Sequence, residues 1–167
     1  MGFKVFLSYS TDREQQVVVW RLQTLAAAHG ITVYVPQRPK QAFWLPSSRR
    51  KPTLLASEVR NAIDQSDCVL AIITNKTSPF VEKELSYALG RNKIIIPIVR
   101  AGVQDSDFLK QFHQIFRFSP SDPPGKTEAE VVTFLKEQKI SKENQQALGA
   151  LVGIGLGLLL LFALAEK

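Results

Sequence analysis

The sequence predicts an α/β protein built around a parallel β-sheet. Three short runs, "KVFLSYS" (4–10), "CVLAIIT" (68–74) and "KIIIPIV" (93–99), are apolar almost throughout, as is typical of strands that are covered on both faces. Segments with apolar residues at helical spacing lie between the runs. This alternation of strands and helices favours a parallel sheet with helices on both sides.

The first helix is expected over residues 12–29, between the first two strands. Asp12 is placed to cap it, Val18 and Leu22 share one face, and Gly30 follows as a stop signal. The remaining elements continue the alternation: strand 31–35, helix 54–66, strand 68–74, a helix from residue 78, strand 93–99, a weaker strand 114–119 and helix 127–138.

Five strands joined by right-handed crossovers favour the flavodoxin-like strand order 2-1-3-4-5. In that topology a ligand binds beyond the carboxyl ends of the first and third strands. The segments at those two ends, "SYSTDR" (8–13) and "TNKTSPF" (74–80), are polar. We therefore expect a binding crevice between them.

The helix that begins at "SPFVEKELSYAL" (78–89) carries two glutamates with different expected surroundings. At about 100° per residue, Glu82 points away from the apolar face. Glu84 lies at the margin of that face, one turn after Phe80. The predicted buried stripe consists of Val81, Leu85, Ala88 and Leu89.

Length, charge and cysteine content restrict the class of protein. The chain has 167 residues, enough for one domain and little else. Its formal charge of +6 permits contact with anionic lipid or with a phosphate-bearing ligand, but no fold motif indicates nucleic-acid binding. The single cysteine, Cys68, excludes an internal disulfide, fits a reducing compartment and is expected in the core. No metal site is predicted.

The C-terminal segment differs sharply in composition from the rest of the chain. Residues 147–165 contain no polar side chain, and as a helix they would span about 30 Å, the thickness of a bilayer core. We therefore expect a domain over residues 1–140, a linker over 141–146 and a transmembrane helix over 147–165.

The expected membrane helix also predicts an orientation and a mode of association. Three lysines precede the segment and only Lys167 follows it, so the N-terminal domain should face the cytoplasm from a single-pass C-terminal anchor. Gly149, Gly153 and Gly157 would lie on one helix face, where small residues let helices in a membrane approach each other.

Several segments together resemble the TIR (Toll/interleukin-1 receptor) domain family. "VFLSYS" is similar to the first box of that family, and "SDCVLAIIT" is similar to its third strand. "SPFVEKEL" resembles its S-x-W-x-x-x-E-L motif, and "KIIIPIV" resembles the strand that follows. The likeness covers roughly residues 3–138 in the right order and spacing.

The resemblance implies cleavage of the bond between nicotinamide and ribose in NAD+, which would be a substrate while no cofactor is expected. The glutamate of the family motif falls on Glu84, the implied catalytic residue. A fixed carboxylate suits this reaction because the departing nicotinamide leaves an oxocarbenium-like ribose. The residues implied to contact the nucleotide are Ser8, Tyr9, Arg13, Ser78 and Phe80.

Four of these residues also have a purely structural interpretation. Glu84 could pair with a neighbouring cation on the helix surface, and Ser78 suits an N-cap because Pro79 follows at the favoured first helical position. Phe80 and Tyr9 could be core aromatics. Phe80 departs from the tryptophan of the family motif, and it offers less stacking area and no indole N–H.

The composition of the loop over residues 36–53 indicates that the protein associates with itself. It contains five basic residues, no acidic residue, four prolines and the apolar triplet Phe43-Trp44-Leu45. In TIR domains the corresponding loop mediates assembly, so a homo-oligomer is expected through this loop and the glycine-spaced tail. Two alternatives to a membrane-tethered NAD+-cleaving enzyme in defence or stress signalling remain open: a non-catalytic TIR interaction module, and an enzyme similar to nucleoside deoxyribosyltransferases.

Overall fold

The computed structural model describes residues 2–10, 13–37, 55–74, 79–104, 107–110, 112 and 114–147. Asp12, Ser78, most of the loop 36–53 and nearly all of the segment 147–165 therefore lie outside the described residues.

A five-stranded sheet with the predicted order β2-β1-β3-β4-β5 forms the centre of the molecule. All four neighbouring pairs of strands are parallel, which confirms the predicted flavodoxin-like topology. β1 therefore lies between β2 and β3. β2 is added on one side of β1, and the later strands are added on the other side. The strands are β1 (Phe3–Ser8), β2 (Ile31–Tyr34), β3 (Cys68–Ile73), β4 (Ile94–Arg100) and β5 (Phe116–Phe118).

Helices cover both faces of the sheet, as the alternation predicted. A short helix, α4 (Asp107–Lys110), forms between β4 and β5, where the sequence shows no helical pattern. Gly30 follows α1 with a φ of +67°, a conformation that glycine adopts without steric cost. The helices are α1 (Arg13–Ala28), α2 (Ser57–Gln65), α3 (Pro79–Gly90), α4 (Asp107–Lys110) and α5 (Lys126–Ala147).

The alternation of side chains along the strands divides the core into two layers. In β1, Phe3, Val5 and Leu7 pack with α1 and α5, whereas Phe6 packs with α2 and α3. Successive strand residues point to opposite faces, so Ser8 shares the face of Phe6. Ser8 therefore faces the layer that contains α3.

Three expectations about single residues can be compared with the structure directly. Cys68 is buried in the core, as predicted, and burial raises the pKa of its thiol. Glu82 is exposed, also as predicted. Leu89 was expected in the buried stripe of α3 but is 37% exposed, because the buried face consists of Val81, Glu84, Leu85 and Ala88 and Leu89 lies at its edge at about 100° per residue.

The C-terminal part of the domain differs from the sequence-based expectation. α5 continues to Ala147, so the residues expected to form a linker, 141–146, are helical. Lys139 and Lys142 attach this extension to the domain: the Lys139 ammonium donates to the carbonyl of His29 at 3.1 Å, and the Lys142 ammonium donates to Asp67 at 2.7 Å.

The prediction of a single-pass membrane protein anchored by its C-terminus is contradicted. Among the helices in the described ranges, none is long and apolar enough to cross a bilayer. α5 has the length, with 22 residues, but charged side chains occur along it from Lys126 to Glu143. The anchor predicted over 147–165, and the cytoplasmic orientation derived from it, are therefore not supported.

Candidate active site

Two pairs of buried polar side chains, Ser8 with Glu84 and Gln15 with Thr74, lie at the carboxyl ends of β1 and β3. Ser8 ends β1, Thr74 directly follows β3, Gln15 lies in the first turn of α1 and Glu84 lies in α3. Their exposed fractions are 0% for Ser8, 7% for Thr74 and 1% for both Gln15 and Glu84. This is the position at which the fold binds ligands, because the direction of the crossovers reverses between these strands.

Ser8 and Glu84 form a direct contact. The Ser8 hydroxyl donates a hydrogen bond of 2.5 Å to Oε2 of Glu84. Parallel pairing of Ser8 with Ala71 fixes the serine in the sheet. The carboxylate is thus oriented by a rigid neighbour 76 residues away in sequence.

The helix that carries Glu84 is itself well determined by local sequence. Pro79 occupies its first position, where a fixed φ is favourable and the missing N–H has no intrahelical role. Val81, Leu85 and Ala88 are buried against the sheet. Glu84 lies between these apolar residues and is more deeply buried than the margin position predicted from its helical angle.

Gln15 connects the residues that directly follow β1 and β3. Its Oε1 accepts a hydrogen bond of 2.6 Å from the backbone N–H of Ser10, and its Nε2 donates one of 2.9 Å to the hydroxyl of Thr74. The sequence analysis did not select Gln15. A signal was present. Gln15 precedes Val18, Val19 and Leu22 at helical spacing, so its position predicts a polar side chain on the buried face of α1.

The structure places the other predicted site residues differently. Tyr9 packs into the core layer of α1 and α5, opposite the face of Glu84, and its hydroxyl donates to the carbonyl of Pro36 at 3.1 Å. Arg13 is exposed at the start of α1. Phe80 is half-buried, one turn before Glu84 on the same helix. Ser78 is outside the described residues.

A separate groove of about 280 Å³ lies between the first turns of α1 and α5. Two of its carboxylates are already paired: Glu14 lies 3.5 Å from Arg100, and Glu128 lies 3.6 Å from Arg21. Glu84 does not line this groove. The groove is therefore distinct from the polar cluster at β1 and β3.

The fold and the polar cluster at the carboxyl ends of β1 and β3 define a flavodoxin-like α/β domain with a buried carboxylate at its ligand-binding edge. The model of the TIR domain family (TIR_2) matches residues 5–132. The chain therefore belongs to the TIR domain family. No curated protein sequence matches it.

Solved structures of similar fold come from proteins of diverse activity. The CMP N-glycosidase BcmB of Clostridium botulinum superimposes with a TM-score of 0.50 at 18% identity, covering 80% of this chain and 98% of that one. The Flv1 flavodiiron core of Synechocystis gives a TM-score of 0.58 at 13% identity, covering 84% of this chain and 37% of that one. The TIR domains of the activated Roq1 resistosome give 0.48 at 18% identity, covering 87% and 77%. At these identities the likeness to the first two structures establishes the fold alone.

Proposed function

We propose that this TIR domain cleaves the N-glycosidic bond between nicotinamide and ribose in NAD+, with Glu84 as the catalytic residue. The observation that carries the proposal is the position of the Glu84 carboxylate. It is buried at the carboxyl end of β1, beside Ser8 and on the helix that follows β3. Membership of the TIR family supports the substrate, and the resemblance of "SPFVEKEL" to the family motif implies the role of Glu84.

The reaction needs one carboxylate and no general acid. The bond between C1′ of the ribose and the ring nitrogen breaks, and its electron pair neutralises the positive charge of the nicotinamide ring. The ribose is left as an oxocarbenium ion, which the negative charge of Glu84 stabilises. Water then adds to C1′ and releases a proton, so that NAD+ and water give ADP-ribose, nicotinamide and H+.

The hydrogen bond from Ser8 gives Glu84 a defined direction before substrate binds. A preoriented charge stabilises a transition state without reorganisation at the moment of reaction. Because Glu84 is only 1% exposed, the segments around it must move apart before a ribose hydroxyl can reach the carboxylate that Ser8 orients. Phe80, one helical turn earlier, offers an apolar surface on the same side of α3.

The decisive experiment compares the wild type with Glu84→Gln in the release of nicotinamide, measured by chromatography at high protein concentration. Glutamine keeps an acceptor for Ser8 but removes the charge, so release should fall at least about 100-fold while the fold is kept. Glu82→Gln is the matched control, because Glu82 is exposed on the same helix. Equal release by wild type and Glu84→Gln, or no release by the wild type, would refute the proposal.

A non-catalytic interaction module is the second candidate, and the burial of Glu84 favours it. A carboxylate that is 1% exposed and bound by a buried serine can also be a polar pair that only stabilises the domain. Self-association through the loop 36–53, outside the described residues, stays a prediction. Deletion of Phe43–Leu45 should lower the mass seen by light scattering in either case, whereas only the enzyme releases nicotinamide.

A different nucleotide substrate is the third candidate. The C. botulinum protein of similar fold is a CMP N-glycosidase, and nucleoside deoxyribosyltransferases likewise act on an N-glycosidic bond with a carboxylate. Assaying CMP beside NAD+, with free cytosine as the product measured, separates the substrate classes. Release of cytosine without nicotinamide would keep the role of Glu84 and replace the substrate.

A further inference from the structure

Gln15 is a polar residue at a position where the core of the domain would accept an apolar one. It is 1% exposed and shares the buried face of α1 with Val18, Val19 and Leu22. A buried amide is unfavourable unless its donor and acceptor are both satisfied. Here both ends of the amide have a partner, which indicates that the residue serves a specific connection.

The chemistry of the two partners fixes the orientation of the amide. A backbone N–H can only donate, so the group that faces Ser10 must be the carbonyl oxygen Oε1. The amide nitrogen Nε2 then faces the hydroxyl of Thr74, which accepts. The amide therefore joins Ser10, which follows β1, to Thr74 at the end of β3.

The hydrogen bonds of Gln15 hold Ser10 and Thr74 and do not include the proposed catalytic carboxylate of Glu84. Ser8 is held independently by its pairing with Ala71 in the sheet, and Glu84 is held by Ser8 and by α3. Ser10 and Thr74 lie just beyond the ends of β1 and β3. Gln15 supplies the link between these two positions.

We infer that Gln15 is a positioning residue that holds the β1–α1 segment against the end of β3 and so shapes the nucleotide-binding crevice; this rests on the proposed function. Loss of the link should weaken binding of NAD+ more than it slows the chemical step. The expected signature is a rise in KM of about tenfold, the size of one hydrogen bond's net contribution, with kcat within about twofold of wild type.

The experiment uses the full chain with the variants Gln15→Leu, Thr74→Val and the double variant. Thr74→Ser is the conservative variant, because it keeps the hydroxyl and should recover most of the affinity that Thr74→Val loses. Gln23→Leu, at an exposed position of the same helix, controls for the loss of a glutamine. If the two residues act through one bond, the double variant should be little worse than Gln15→Leu.

A second measurement separates failure of this inference from failure of the proposed function. Amide hydrogen exchange at Ser10 should be at least about tenfold faster in Gln15→Leu and unchanged in Gln23→Leu, whether or not the protein cleaves NAD+. The Kd of NAD+, measured by calorimetry with Glu84→Gln added to each variant, should rise with the KM.

The measurements decide separately on the role of Gln15 and on the cleavage of NAD+. Unchanged exchange at Ser10, or faster exchange with unchanged KM and Kd, would overturn the role of Gln15. A wild type that releases no nicotinamide would refute the proposed activity, and the Kd would then decide Gln15 by itself. Should Gln15→Leu fail to fold, Thr74→Val tests the same bond from its other end.

Discussion

The hydroxyl of Ser8 and the carboxylate of Glu84 are joined by a buried hydrogen bond of 2.5 Å. Ser8 is the last residue of β1, and Glu84 lies on α3, the helix that follows β3. The bond therefore connects the sheet to a covering helix at the carboxyl ends of the strands. Neither side chain is more than 1% exposed. The bond therefore contributes both to stability and to the direction of the carboxylate.

The first prediction concerns Ser8→Ala. Removal of the hydroxyl deprives a buried carboxylate of a donor, and we expect the free energy of unfolding to fall by about 1–3 kcal/mol. The rate of nicotinamide release at saturating NAD+ should also fall, because the carboxylate loses its fixed direction. Urea denaturation followed by circular dichroism and the chromatographic assay measure the two effects.

Ser86→Ala is the matched control for Ser8→Ala, since Ser86 is an exposed serine on the helix of Glu84. It should leave stability within about 0.5 kcal/mol of wild type. If Ser8→Ala were as stable as this control and equally active, the contact between Ser8 and Glu84 would have no role in either property.

The second prediction concerns the aromatic ring at position 80. Phe80 is half-buried one turn before Glu84, on the side of α3 where the substrate is proposed to lie. Phe80→Ala should lower kcat/KM about tenfold through the loss of stacking area, whereas Phe80→Trp should preserve or raise it. Glu82→Ala should change little. Equal turnover by Phe80→Ala and wild type would assign the ring to packing alone.

Much of the fold follows from local sequence. The apolar runs that become β3 and β4 predict buried strands by themselves, and the handedness of crossovers then limits the order of strands. α4 escaped prediction because its four residues, Asp107–Lys110, are too few to show a helical period. Its formation depends on the burial of Leu109, which is 2% exposed.

The site could be predicted only in part, because its geometry depends on pairs that are distant in sequence. The topology places Ser8 and Thr74 at neighbouring strand ends, and the helical angle puts Glu84 near the core. The depth of Glu84 depends on a partner 76 residues away, and the role of Gln15 depends on one 59 residues away. No local pattern specifies such pairs.

The third prediction concerns the extension of α5, which the sequence suggested was a linker. The Lys142 ammonium lies 2.7 Å from Oδ1 of Asp67, and the two side chains are only 13% and 10% exposed. Oδ2 of the same carboxylate accepts from the backbone N–H of Lys4 at 2.8 Å. The Lys142 ammonium also lies 5.9 Å from the centre of the Phe3 ring. These contacts hold α5 at Lys142 against the start of β1 and the residue that precedes β3.

Lys142→Met should lower the free energy of unfolding by about 2–4 kcal/mol, because a mostly buried carboxylate loses its cation. Adding Asp67→Asn to Lys142→Met should lower stability by less than the sum of the two single effects, since no unpaired charge then remains. Urea denaturation at low and at 0.5 M salt, roughly the range in which exposed pairs become screened, should give similar differences because the pair is shielded from solvent.

Lys136→Met, at an exposed position of the same helix, should have little effect. A loss for Lys142→Met no larger than that for Lys136→Met would mean that the α5 extension is not attached to the domain in solution.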